Sequence, residues 1–142
     1  MRYLGIDYGE RRMGLALCDP GETLVSPLCV VEGRERFIRA VTDLIRTDRI
    51  EALVIGLPIN MDGSRGFQAQ RVQAFADQLA REVAIPILFQ DERLSSYAAR
   101  ERLGGLDLSR DKKRRLLDAV AAAQILEAFL EAKREGTRHS EQ

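Results

Sequence analysis

Only one histidine, His139, and two cysteines, Cys18 and Cys29, occur in the 142 residues. The common zinc sites need several thiolate and imidazole ligands, so that scarcity excludes them. It excludes Ser-His and Cys-His nucleophilic pairs as well, because His139 lies in a polar tail. Cys18 falls beside the turn Asp19-Pro20-Gly21-Glu22 and Cys29 several residues further on, so the two do not face each other and no disulfide is expected. Net charge is missing too: 22 basic residues cancel 22 acidic ones. The total therefore carries no sign of a nucleic-acid partner, although phosphates are held by local clusters rather than by totals. No apolar run approaches the roughly 20 residues of a membrane span, and the start Met1-Arg2-Tyr3-Leu4 reads as a strand, not a signal peptide. A cytoplasmic protein without a membrane partner is expected. Any catalysis must rest on carboxylates, lysines, arginines or hydroxyls.

What is present is an ordinary globular composition, 45% hydrophobic and 31% charged. The length suits one domain over residues 1–134, able to bury about two-thirds of its unfolded surface, followed by a polar tail at 135–142 that is expected to fray. There is no internal repeat, linker or low-complexity segment.

A strand enters through Leu4 and Ile6, reaches the carboxylate of Asp7 and turns at Tyr8-Gly9-Glu10-Arg11; a second leaves through Met13, Leu15 and Leu17. The third, Thr23 to Val31, contains Pro27, which removes a backbone donor and predicts a sheet edge. Helical spacing of Phe37, Ile38, Val41, Leu44 and Ile45 predicts a helix over about 35–47. Ala52-Leu53-Val54-Ile55-Gly56 is continuously apolar, the pattern of a strand covered on both faces, and ends at Leu57-Pro58 and a polar loop. Val72, Phe75, Ala76, Leu79 and Val83 mark another helix, and Ile85 to Phe89 a second buried strand that runs into Gln90-Asp91-Glu92-Arg93. A helix from about Ser95 to Leu103 stops at Gly104-Gly105, and a last one spans about Arg110 to Arg134 with Ser109 as N-cap. Hairpin-linked strands are antiparallel and helix-linked strands parallel. The expected fold is therefore α/β: a mixed five-stranded sheet, three strands joined by hairpins and then two parallel strands, with helices on both faces.

In that arrangement strands one, four and five end at Asp7, at Gly56-Leu57-Pro58 and at Asp91-Glu92, along the one edge where open α/β sheets place ligands. Successive strand side chains point to opposite faces, so only one of Asp91 and Glu92 enters a shared site. Asp118 stands in the apolar stripe of Ala121, Ala122, Ile125 and Phe129, where an unpaired carboxylate costs several kcal/mol and so needs a cation or a partner such as Arg93 or Arg114. Three converging carboxylates repel by about 1 kcal/mol per pair at 4 Å in water and about 4 kcal/mol at an effective dielectric of 20. A divalent cation relieves that repulsion, and an oxygen-only ligand set favours Mg²⁺ or Mn²⁺.

Four stretches carry a family resemblance: Gly5-Ile6-Asp7-Tyr8-Gly9-Glu10-Arg11-Arg12-Met13-Gly14-Leu15-Ala16, Gly56-Leu57-Pro58-Ile59-Asn60-Met61-Asp62-Gly63, Asp91-Glu92-Arg93-Leu94-Ser95-Ser96, and Leu117-Asp118 through Leu126. In order and spacing they resemble the motifs of the YqgF/RuvX family, and the likeness covers nearly the whole chain outside the tail. It implies an RNase H-like fold related to the RuvC Holliday-junction resolvases. It selects Glu92 over Asp91, and implies that Asp7, Glu92 and Asp118 are the catalytic and metal-binding acids. The activity implied is metal-dependent hydrolysis of phosphodiester bonds in structured nucleic acid. Maturation of the 5′ end of pre-16S ribosomal RNA, in contact with ribosomal precursor particles, is favoured over resolution of branched DNA. Resolution would favour a homodimer, since a junction has two strands to cut symmetrically, whereas trimming one RNA end would not. Arg11, Arg12, Asn60, Arg65, Arg93, Lys112 and Lys113 are the candidate nucleic-acid contacts. The competing readings are a nucleotide-binding module of the actin and sugar-kinase type, and a ribosome-bound protein without catalysis.

Overall fold

A computed structural model describes residues 1–92 and 110–140, with side chains described except at 110–115 and 137–140. Strand β1 (Tyr3–Tyr8) and strand β2 (Arg12–Cys18) form the expected hairpin, with Asp7 opposite Gly14 and Tyr8 opposite Met13. Strand β3 (Val25–Glu32) returns along β2. A 3₁₀ turn (Arg34–Arg36) leads into helix α1 (Phe37–Thr47), then strand β4 (Ala52–Leu57), helix α2 (Phe67–Ala80), strand β5 (Ile87–Asp91) and helix α3 (Arg110–Ser140).

The sheet order is β3-β2-β1-β4-β5, with β1, β4 and β5 parallel. Pro27 does lie on an edge strand, at a register shift where Leu15 pairs with Cys29 and Ala16 with Pro27. The ladder skips Leu28 there, the kind of irregularity that tolerates a missing donor. Cys18 and Cys29 are both free.

Alternation along the strands sorts the side chains between two cores. Leu4, Ile6, Met13, Leu15, Leu53 and Ile55 pack with Phe37 and Val41 of α1 and with Val72, Phe75 and Leu79 of α2. Tyr3, Cys18 and Val54 pack on the opposite face with Ile125, Leu126 and Leu130 of α3. Full burial of each such aliphatic side chain contributes about 1.5–3 kcal/mol. Beside this second core, Ala16, Ala122 and Ala123 let α3 lie close to the sheet.

Three expectations change. The last parallel strand begins at Ile87 rather than Ile85, because Pro86 has no donor and offers only its carbonyl, which accepts from Leu53 N at 2.9 Å. Among the described residues that strand is an edge and not a buried strand; with one described neighbour instead of two, it leaves Phe89 37% exposed. Helix α3 continues to Ser140, beyond Arg134, so the segment expected to fray is helical through that residue. It is exposed from Glu131 to Gly136, and Lys133 reaches back to donate to Tyr3 Oη and Glu22 Oε1. The helix expected over Ser95 to Leu103 lies outside the described residues.

Candidate active site

Asp7 follows Tyr3 and Gly5 on the face of β1 that α3 covers, since Leu4, Ile6 and Tyr8 point into the other core. The same parity assigns Glu92. Leu88 packs with the α3 core and Ile87 with the other, so Gln90 and Glu92 follow Leu88. Asp91 falls on the α1/α2 side. Glu92 N extends the ladder one step past β5 by donating to Leu57 O at 3.2 Å. Its alternation is therefore still that of a strand, as the sequence reading required.

Two glycines let the acids meet. Gly14 lies opposite Asp7, and a Cβ on it would collide with the carbonyl and main chain of Asp118. Helix α3 thus crosses β2 with its backbone against Gly14, which delivers Asp118 to the strand beside Asp7. Gly56 does the corresponding work on β4. A Cβ there would lie 2.7 Å from Glu92 Oε2 and would also strike Ile125 Cδ1. The Glu92 carboxylate therefore reaches over the β4 backbone toward β1. No signal from Gly14 or Gly56 alone distinguishes them from turn glycines. The pattern Gly14-Leu15-Ala16, small residues alternating with a large one, is the trace of a close helix that sequence reading could have used.

The electrostatics follow from that crowding. Burial raises the Asp7 carboxyl well above its ordinary range, and the charges of Glu92 and then Asp118 raise it further. Burial first, and then the neighbouring charge of Asp91, push Glu92 up to about 7. Burial raises Asp118, while the Arg12 guanidinium pulls the other way. All three acids thus resist ionisation in the absence of a cation.

Among the described residues, Arg12 is the partner of Asp118; the side chains of the expected partners Arg93 and Arg114 lie outside them. Arg12 Nε stands 3.2 Å from Asp118 Oδ2, yet among the described residues that buried oxygen finds no hydrogen-bond partner. The charges compensate each other; the lone pairs are not directionally satisfied. Among the described residues, no three acidic, histidine or cysteine side chains stand close enough as placed to enclose one ion. The donor chemistry nevertheless fits a hard cation: oxygen ligands, one of them buried without a hydrogen bond, on acids that burden one another with charge.

The other candidates divide. Arg11 and Arg12 line a cleft of about 610 Å³ shared with Glu32, Gly33 and Arg34. Asn60 is engaged inside its own loop: Asn60 N donates to Ser64 O at 2.9 Å and Asn60 Nδ2 to Ser64 Oγ at 3.1 Å. Arg65 bridges Ile59 and lines a cleft with Ala69, Gln70 and Gln73 of α2, the helix on the sheet face opposite the acids. Arg93 and the side chains of Lys112 and Lys113 lie outside the described residues.

Comparison with known proteins adds three findings. The sequence model of the RuvX family, described as a Holliday junction resolvase, matches residues 1–132. A Roseiflexus protein named "Putative pre-16S rRNA nuclease" is 42% identical over 135 residues, covering 94% of this chain and 96% of its own. A protein of the same name from Moorella thermoacetica is 42% identical over 133 residues, covering 92% and 95%. Among solved structures, Thermus thermophilus RuvC in complex with a Holliday junction substrate superposes with a TM-score of 0.57 at 20% identity, covering 94% of this chain and 96% of that one. The fowlpox virus resolvase in complex with Holliday junction DNA gives 0.55 at 11% identity, covering 93% and 98%. At these identities the structures share the fold, and it is the expected RNase H-like one.

Proposed function

This chain belongs to the RuvX family, and from that premise we propose that it is a divalent-metal-dependent nuclease whose substrate is the 5′ end of pre-16S ribosomal RNA. The observation that carries the reading is the placement of Asp7, Glu92 and Asp118. They share one face at the carboxyl ends of parallel strands, with Asp118 Oδ2 buried and not hydrogen-bonded. The RNA assignment is supported by the names of relatives that align along almost their whole length.

Asp7, Glu92 and Asp118 would hold Mg²⁺ or Mn²⁺, which in such sites activates water and stabilises the leaving oxygen of the phosphodiester. The protein's own part is electrostatic and geometric. Gly56 leaves room above β4 for Glu92 and for Ile125 Cδ1, and Gly14 seats Asp118 beside Asp7. Each of the three acids must release any proton it holds before it serves as a ligand, so metal affinity should rise with pH. Arg11 and Arg34 share a cleft with Arg12, the partner of Asp118, and would contact backbone phosphates from there. The expected products carry a 5′-phosphate and a 3′-hydroxyl.

A second reading, resolution of branched DNA, is supported by the family's description and by the RuvC fold. Both readings are tested by offering the purified protein, with Mg²⁺ or Mn²⁺, an RNA carrying the 5′ flank of 16S and a four-way DNA junction. Cleavage of the RNA and not the junction is expected, and Asp7→Asn should lower it about 100-fold or more. Preferential junction cleavage would replace the RNA assignment with the second reading. A folded Asp7→Asn protein that cuts at the wild-type rate would remove the acid site from the mechanism.

A further inference from the structure

We propose that Arg12 is a stand-in for the cation: its guanidinium neutralises Asp118 in the metal-free protein, yields that carboxylate to an incoming divalent ion, and is thereby released to a substrate phosphate. The proposal rests on the acid-site reading above. Its first support is the quality of the contact. Guanidinium and carboxylate ordinarily join through directed, often paired hydrogen bonds. Here the ion pair is close, 3.2 Å, but Asp118 Oδ2 has no hydrogen-bond partner among the described residues. The pair supplies charge compensation without directional commitment, and it leaves a lone pair open for another cation.

Mobility is unequally divided between the partners. The Asp118 main chain rests against Gly14, so the carboxylate's base cannot shift without lifting α3 from the sheet. Arg12 stands at the start of β2 on a long side chain that is 31% exposed. When the pair opens, Arg12 is the partner that moves.

Its destination is also defined. Arg12 lines the same cleft as Arg11 and Arg34, so a released guanidinium stays among other cations that face the same opening. Once released, Arg12 adds the positive charge that Asp118 had held to the charges of Arg11 and Arg34 in that cleft, which favours a phosphodiester there. Cation binding and phosphate binding would then be linked through one side chain, each assisting the other.

Calorimetric titration of Mn²⁺ into the full-length protein at pH 8, without nucleic acid, tests the first half. Arg12→Gln, which keeps length and loses charge, should bind Mn²⁺ about three- to tenfold more tightly than wild type, the size expected from removing a partly exposed competitor. Arg12→Lys keeps a charge and should stay closer to wild type, and Asp118→Asn should weaken binding. Melting curves establish that each variant is folded. If Arg12→Gln binds Mn²⁺ equally or less tightly while Asp118→Asn weakens binding, the stand-in role is wrong and the acid site survives. If wild type and Asp118→Asn bind Mn²⁺ alike, the acid-site reading fails and this inference with it. The second half is read by anisotropy of a labelled single-stranded RNA with and without Ca²⁺. Ca²⁺ should tighten RNA binding in wild type several-fold more than in Arg12→Gln; equal tightening would overturn the release to phosphate.

Discussion

Replacing Glu92 by Gln should make the metal-free protein more stable at pH 8, although it removes a proposed catalytic group. Burial and the charge of Asp91 hold the Glu92 carboxyl at about 7, against an ordinary value of 4.5. Each unit of difference corresponds to about 1.36 kcal/mol, so ionising Glu92 in the folded chain costs about 3 kcal/mol. The direction follows from proton counts. Between pH 4.5 and 7 the unfolded chain has lost this proton and the folded chain retains it. Stability therefore falls as pH rises through that window, and the whole penalty is present above it. Glutamine is neutral in both states and escapes the penalty. Urea denaturation in EDTA should show Glu92→Gln more stable than wild type by up to about 3 kcal/mol at pH 8, with the difference vanishing near pH 4, where glutamate is protonated in both states. Saturating Mn²⁺ should close the gap at pH 8 by stabilising wild type more than the variant. A difference that does not vary with pH, or a variant less stable at pH 8, would refute the electrostatic account of the site.

Two glycine substitutions separate the site from the scaffold. In Gly56→Ala the new methyl meets the ends of two side chains, Glu92 Oε2 and Ile125 Cδ1, which can give way. Cleavage should fall at least tenfold while urea denaturation shows a loss no greater than about 1–3 kcal/mol; unchanged cleavage would mean that Glu92 does not need the space over β4. In Gly14→Ala the methyl meets the Asp118 backbone, which gives way only if α3 moves. Its destabilisation should be the larger of the two, at or above the top of that range, and a melting temperature equal to wild type would contradict the close crossing of α3.

The sequence by itself determined the element order, the mixed sheet and the parity of the acids, because these depend on local properties. Side-chain direction alternates along any strand, so adjacency alone put Asp91 and Glu92 on opposite faces; the family resemblance chose Glu92, and the packing of Leu88 in the α3 core is what aligns Glu92 with that face. Asp118 was legible as an anomaly because a charge in the stripe of Ala121, Ala122 and Ile125 violates helical patterning. Its partner was not. Arg12, distant in sequence, reaches Asp118 because Gly14 allows α3 to seat directly on β2. Only the tertiary structure could decide that, since the position of a helix along a sheet is set by small residues from distant segments meeting at once. The same is true of the last parallel strand. Its apolar run reads as buried, but burial depends on how many neighbours a strand has, and the order of the described strands gives it one. Patterning within a segment says which way each side chain faces; the contacts it finds there belong to the assembled sheet and helix.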